Sequence, residues 1–189
     1  AGAHWQEQTT DYWNWNTDRA LREFAVATPY VEAADWRRTL GNHARDMRKS
    51  FLSNPILSDL VLIRSALSPR AAQLGVQEVE LAVENLVQAG LTAEQAFDAY
   101  SAVSLHVRGS VVLQRLYEKN RAANDGPGDF EETMVYDAEA APLLTQVSRR
   151  GHRIGAADDS NFEYGLDCIL DNVERQIAEG RKTAKSRKG

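Results

Sequence analysis

The chain has 189 residues, 43% of them hydrophobic and 26% charged, which suits one compact domain with a sizeable core. Its formal net charge of −5 argues against general attraction to nucleic acid, and its single cysteine, Cys168, excludes an internal disulfide framework. Ala, Leu, Glu, Arg and Gln dominate, no apolar run reaches the length of a membrane span, no signal-peptide pattern opens the chain and no internal repeat is visible, so a helical, cytoplasmic protein with no membrane partner is expected.

The stretch "DYWNWN" gathers Tyr12, Trp13 and Trp15 close to the start of the chain, and aromatics that dense pack on a core. Thr17 and Asp18 offer an N-cap to a short amphipathic helix over 17–27 that carries Leu21, Phe24 and Ala25 and meets Pro29. From 35 to 53, Trp36, Leu40, His43, Met47 and Phe51 recur every three or four residues, which predicts a surface helix with one inward face. Its Arg37, Arg38, Arg45, Arg48 and Lys49 read as a solvated face. Pro55 fits the first turn of a short apolar helix over 55–65. Ser68 and Pro69 open a helix over 68–89 that Gly90 stops. Thr92 and Gln95 have capping-box spacing ahead of a long helix over 92–118. That helix is apolar nearly all round, which marks it as central or as part of an oligomer interface.

Residues 120–137 read as a loop with Gly126, Pro127 and Gly128 at its tip. A shorter helix over 137–150 and a loop through "RRGHRIGAADDS" follow. The last amphipathic helix, over 160–178, is capped by Asp159 or Ser160, and 181–189 form a basic, mobile tail. No stretch alternates for long like a half-buried strand, so the fold class is all-α. Gly-x-Ser-x-Gly, phosphate-cradling Gly loops and His-Glu-x-x-His are all missing, which speaks against an enzyme.

"DYWNWNTDRALREF" resembles the junction in TetR-family regulators where the recognition helix runs into the connecting helix. "ENLVQAGLTAEQAFDAYSAVSLHVRGSVVLQ" and "DSNFEYGLDCILDNVERQI" resemble the C-terminal domain of the tetracycline-repressor class. The resemblance implies a helical bundle in three parts. Residues 1–18 would be a remnant of the helix-turn-helix recognition helix, 19–180 a ligand-binding and dimerisation domain, and 181–189 a flexible tail. The rest of the DNA-binding head would lie outside this chain, whether by truncation, disorder or evolution.

Residues of DNA-contacting type on the remnant are Gln8, Thr9, Thr10, Tyr12 and Asn14. The resemblance places a ligand inside the bundle, against His43, Met47, Leu60, Arg64, Leu86, Tyr100, Ser104 and Val107. Tyr100 and Ser104 stand one turn apart and can point together. Plain structural roles stay open: a core histidine for His43, core filler for Met47, a helix C-cap for Arg64. His106 would face the pocket or a partner subunit. Surplus apolar surface on the long and final helices predicts a two-fold homodimer through Leu105, Val112, Leu116, Phe162, Leu166, Ile169, Leu170 and Val173.

"LVLIR" has no histidine where the family holds its metal, and Leu113 occupies the matching carboxylate position, so neither metal nor cofactor is expected. The expected function is a repressor that releases operator DNA when a small hydrophobic or amphipathic molecule enters the core. Asp11, where the family prefers an apolar residue, and Asp18, where it has a basic phosphate contact, motivate the alternative. That alternative is a small-molecule-binding protein or enzyme that reuses the pocket without a DNA-binding head.

Overall fold

A computed structural model describes residues 31–59, 62, 69–123, 137–153 and 155–186. The expected helix over 17–27, the DNA-contact set Gln8, Thr9, Thr10, Tyr12 and Asn14, and the pocket candidates Leu60 and Arg64 lie outside the described residues. The fold is all-α, with no strand among the described residues.

After a single 3₁₀ turn at Ala33–Asp35, helix α1 runs over Trp36–Ser53. The Thr39 hydroxyl pins its entry: it donates to the Asp35 carbonyl at 2.8 Å and accepts the Glu32 N–H at 3.0 Å. Leu40, His43, Ala44, Met47 and Phe51 form its buried face. Pro55 disfavours a helical conformation at the residue before it, and Asn54 accordingly leaves the helix at φ −127° and ψ 82°. Helix α2 is a single turn, Pro55–Ser58, tied back by the Ser58 hydroxyl, which donates to the Phe51 carbonyl.

Helix α3, Pro69–Ala89, stops at Gly90, whose φ of +121° only glycine adopts freely. The Gly90 N–H reaches the Val87 carbonyl at 2.9 Å and the Leu91 N–H reaches the Leu86 carbonyl at 3.2 Å, a Schellman closure with Leu86 and Leu91 both buried. Helix α4, Ala93–Ala123, begins with both bonds of the capping box: the Thr92 N–H donates to Gln95 Oε1 at 3.0 Å and the Gln95 N–H donates to Thr92 Oγ1 at 3.2 Å. It runs past the expected end at 118, into the stretch read as loop.

Helix α5 is shorter than expected, Pro142–Ser148, because the chain passes through turns on both sides of it. Helix α6 spans Asp159–Ser186. Its cap is Asp158 rather than Asp159 or Ser160, since Asp158 Oδ1 accepts the Asn161 N–H at 2.9 Å. It continues helical through Ser186, well into the stretch expected to be a mobile tail.

Helix α4 is the centre of the bundle and packs on α1, α3 and α6. Leu40, Leu86, Val103, Val107, Val111, Leu166 and Val173 are sealed from solvent where these helices meet. Helices α1 and α6 run antiparallel, joined by a row of ion pairs: Arg37 with Asp171 at 2.6 Å and Glu174 at 3.1 Å, Arg45 with Glu163 at 2.7 Å, Arg48 with Asp159 at 2.5 Å. Three arginines of the expected solvated face therefore hold a neighbouring helix, their long stems reaching across the crossing.

Candidate functional site

Two places in the bundle have the makings of a site. The first is internal. His43 turns into the core from α1, and its Nε2 stands 3.3 Å from the Tyr100 hydroxyl of α4, with the rings tilted at 32°. Both side chains are buried. Burial pushes the Tyr100 pKa up, and the charge of Glu78 adds to the effect, so the hydroxyl stays protonated at neutral pH and can donate. Met47, Leu86 and Val107 belong to the same sealed core. Ser104, one turn beyond Tyr100, is half-buried. His43, Met47, Leu86, Tyr100 and Val107 are thus all buried in the core that α1, α3 and α4 share, with His43 and Tyr100 facing each other as a polar pair.

The second place is on the outside. Between α4 and the start of α6 lies a groove of about 460 Å³, lined by Leu105, His106 and Leu113 on one side and by Gly155, Ala157 and Phe162 on the other. Leu105 is 73% exposed and Tyr164 on α6 is 75% exposed; Leu113 and Leu116 continue the apolar face along α4. His106 stacks on the Phe162 ring at 4.9 Å and 11°, and its Nε2 lies 2.9 Å from the Phe162 carbonyl. His106 therefore does not enter the core beside His43; its ring lies along the outer groove, held by Phe162 of its own subunit.

The residues expected to pair divide into two groups within the subunit. Phe162, Leu166, Leu170 and Val173 are buried inside the subunit, in the core that α6 shares with α1 and α4. Leu105 and Leu116 are exposed, and Val112 and Ile169 are half-buried. Leu113 and Tyr164 belong with these exposed residues and were not expected. Tyr164 is two positions from Phe162, which puts it on the opposite side of the helix, and a large aromatic on an otherwise polar face was the available signal.

Among the described residues, no three His, Cys, Asp or Glu side chains stand together so as to hold a metal ion. No helix among them is long and apolar enough to cross a membrane.

Comparison with known proteins gives a family and several relatives. The family described as "Tetracyclin repressor-like, C-terminal domain" matches residues 28–177. An HTH-type transcriptional repressor of Mycobacterium tuberculosis and an uncharacterized HTH-type transcriptional regulator of Mycobacterium bovis are each 58% identical over 174 residues, covering 92% of this chain and 67% of their own. The class A tetracycline repressor protein from transposon 1721 of Escherichia coli is 26% identical over 192 residues, covering 97% of this chain and 82% of that protein.

Proposed function

This chain belongs to the tetracycline-repressor-like (TetR) family of transcriptional regulators, and we propose from that premise that it is the sensing and pairing part of a ligand-responsive repressor acting in the cytoplasm. A small hydrophobic or amphipathic molecule enters the core beside His43 and Tyr100. Its binding shifts the balance between two arrangements of a two-fold dimer, and only one of these matches the spacing of operator half-sites. The observation that carries the reading is the buried polar His43–Tyr100 pair, which shares the core with the apolar Met47, Leu86 and Val107 of three helices. Two copies pair through the exposed apolar face around Leu105, Leu113, Leu116 and Tyr164.

A mobility-shift titration of the complete gene product with DNA from around its own gene tests this reading. A retarded complex that a hydrophobic small-molecule library releases from the wild type, and releases less from Tyr100→Ala, supports it. No complex with any genomic fragment rejects the repressor.

A further inference from the structure

Arg48 follows Met47 on α1 and stands one to two turns beyond His43. Its side chain is only 10% exposed, which is costly for a cation unless its donors are engaged. Here every nitrogen finds an acceptor. Nε donates to the Ser110 hydroxyl at 3.2 Å, Nη1 to Asp159 Oδ1 at 2.5 Å, and Nη2 to the Ala157 carbonyl at 3.0 Å and to Gln114 Oε1 at 3.4 Å. The guanidinium carbon also lies 4.6 Å from the centre of the Phe162 ring. Ser110, Ala157 and Phe162 are walls of the outer groove, so one buried fork braces that groove from behind at three points. Phe162 in turn holds His106, a fourth wall. The planar guanidinium fixes these directions together, which an ammonium on the same stem cannot do.

We infer that Arg48 is the positioning residue of the subunit-pairing groove, and the link through which the core beside His43 sets the shape of that groove. This rests on the pairing proposed above. Any shift of α1 driven from His43 or Met47 carries the fork with it, since all three ride on adjacent turns of one helix. The fork's bonds are short and directional, so the groove walls must follow or let go.

Sedimentation of the full chain across a dilution series gives the dimer dissociation constant for the wild type, Arg48→Lys, Asp159→Asn, His43→Phe and the His43→Phe/Arg48→Lys double variant. Arg48→Lys is expected to weaken pairing about tenfold, the scale of one lost charge-assisted bond. Asp159→Asn is expected to weaken pairing roughly threefold and to lower the melting temperature by at most a few degrees, the scale of one ion pair. Asp159 is 89% exposed, so this variant keeps the test open where Arg48→Lys fails to fold. His43→Phe is expected to shift pairing in the wild-type background and to lose most of that shift beside Arg48→Lys, a non-additivity that a purely structural arginine does not produce. A dimer that neither Arg48→Lys nor Asp159→Asn weakens overturns the inference while leaving pairing intact. So does a His43→Phe effect that is zero, or equal in both backgrounds. A wild-type chain that stays monomeric overturns the pairing reading together with this one.

Discussion

Gly165 shows how closely α4 and α6 approach. A β-carbon at that position would collide with the His106 ring, which is pinned by its stack on Phe162 and by the Phe162 carbonyl. Gly165→Ala should therefore cost roughly 1–3 kcal/mol in denaturant unfolding, the scale of overpacking, and much less when His106 is also alanine. An equal cost in both backgrounds would place the strain elsewhere. Arg45 and Glu163 make a different kind of contact, with three guanidinium-to-carboxylate distances between 2.7 and 3.1 Å. The hydrogen bond from Arg45 holds the Glu163 carboxyl below the usual value of 4.5. A lowered pKa stabilises the fold above the unfolded value, and that gain is lost as pH falls through the folded value. Both side chains are more than a third exposed, so solvent screening limits the gain to roughly 0.2–1 kcal/mol. Glu163→Gln should lower stability by that amount at neutral pH, and the difference should vanish as pH falls through the lowered folded value of Glu163. A difference that persists in acid would point to packing instead.

Among the helices, the termini were legible wherever local chemistry decides them. Thr92 and Gln95 make both predicted capping bonds, and Gly90 stops α3 with a positive φ. Thr92→Ala should cost about 1 kcal/mol and raise hydrogen exchange in the first turn of α4 alone. Protection unchanged in that turn would mean that packing holds the helix start without the cap. The cap of α6 was misplaced by a residue because "DDS" offers three capping side chains in a row, and only geometry chooses Asp158. The far end of α6 was misread because its Arg and Lys residues carry no apolar anchor, yet they are fair helix formers and continue a helix already nucleated. Which apolar residues of α6 serve its own subunit was not legible for a deeper reason. A periodicity of apolar residues reports that a face is buried, not whether its neighbour belongs to the same subunit. Phe162, Leu166, Leu170 and Val173 serve their own core, while Leu105, Leu113 and Leu116 of α4 and Tyr164 of α6 point outward. Internally, the contact between His43 and Tyr100 was not legible in the residues themselves, since contacts between separate helices leave no local pattern.

At the scale of the whole molecule, this distinction between inner and outer apolar faces gives a paired test. Leu105 is exposed and Leu166 sealed, so a charge at each position acts on a different equilibrium. Leu105→Glu should leave a folded, helical monomer, because the charge stays in water until a partner covers it. Leu166→Glu should unfold the subunit, since an unpaired buried charge costs about 3–5 kcal/mol, a large share of a domain's stability. Light scattering with circular dichroism separates the two outcomes. A wild type that pairs stably should bury on the order of 2,000 Å². A Leu105→Glu chain that remains dimeric would move the pairing face away from α4.

The row of ion pairs between α1 and α6 also ties the protein to its ionic surroundings. Arg37, Arg45 and Arg48 each meet a carboxylate that lies at the surface, within reach of mobile ions. The field of such pairs extends about 10 Å at 0.1 M monovalent salt and about 3 Å at 1 M, so sodium chloride weakens the exposed Arg37 and Arg45 pairs while leaving the nearly buried Arg48 and the apolar core in place. A loss of about 1 kcal/mol corresponds to a melting temperature lower by roughly 2–4 °C in a domain of this size. Sulfate should act the other way once the row is screened, because it strengthens apolar burial. Thermal melts in the two salts should therefore diverge with concentration, and Arg37→Gln/Arg45→Gln should flatten the chloride branch alone. A chloride branch that keeps its slope in that variant would show that the two helices are held together by their apolar contacts.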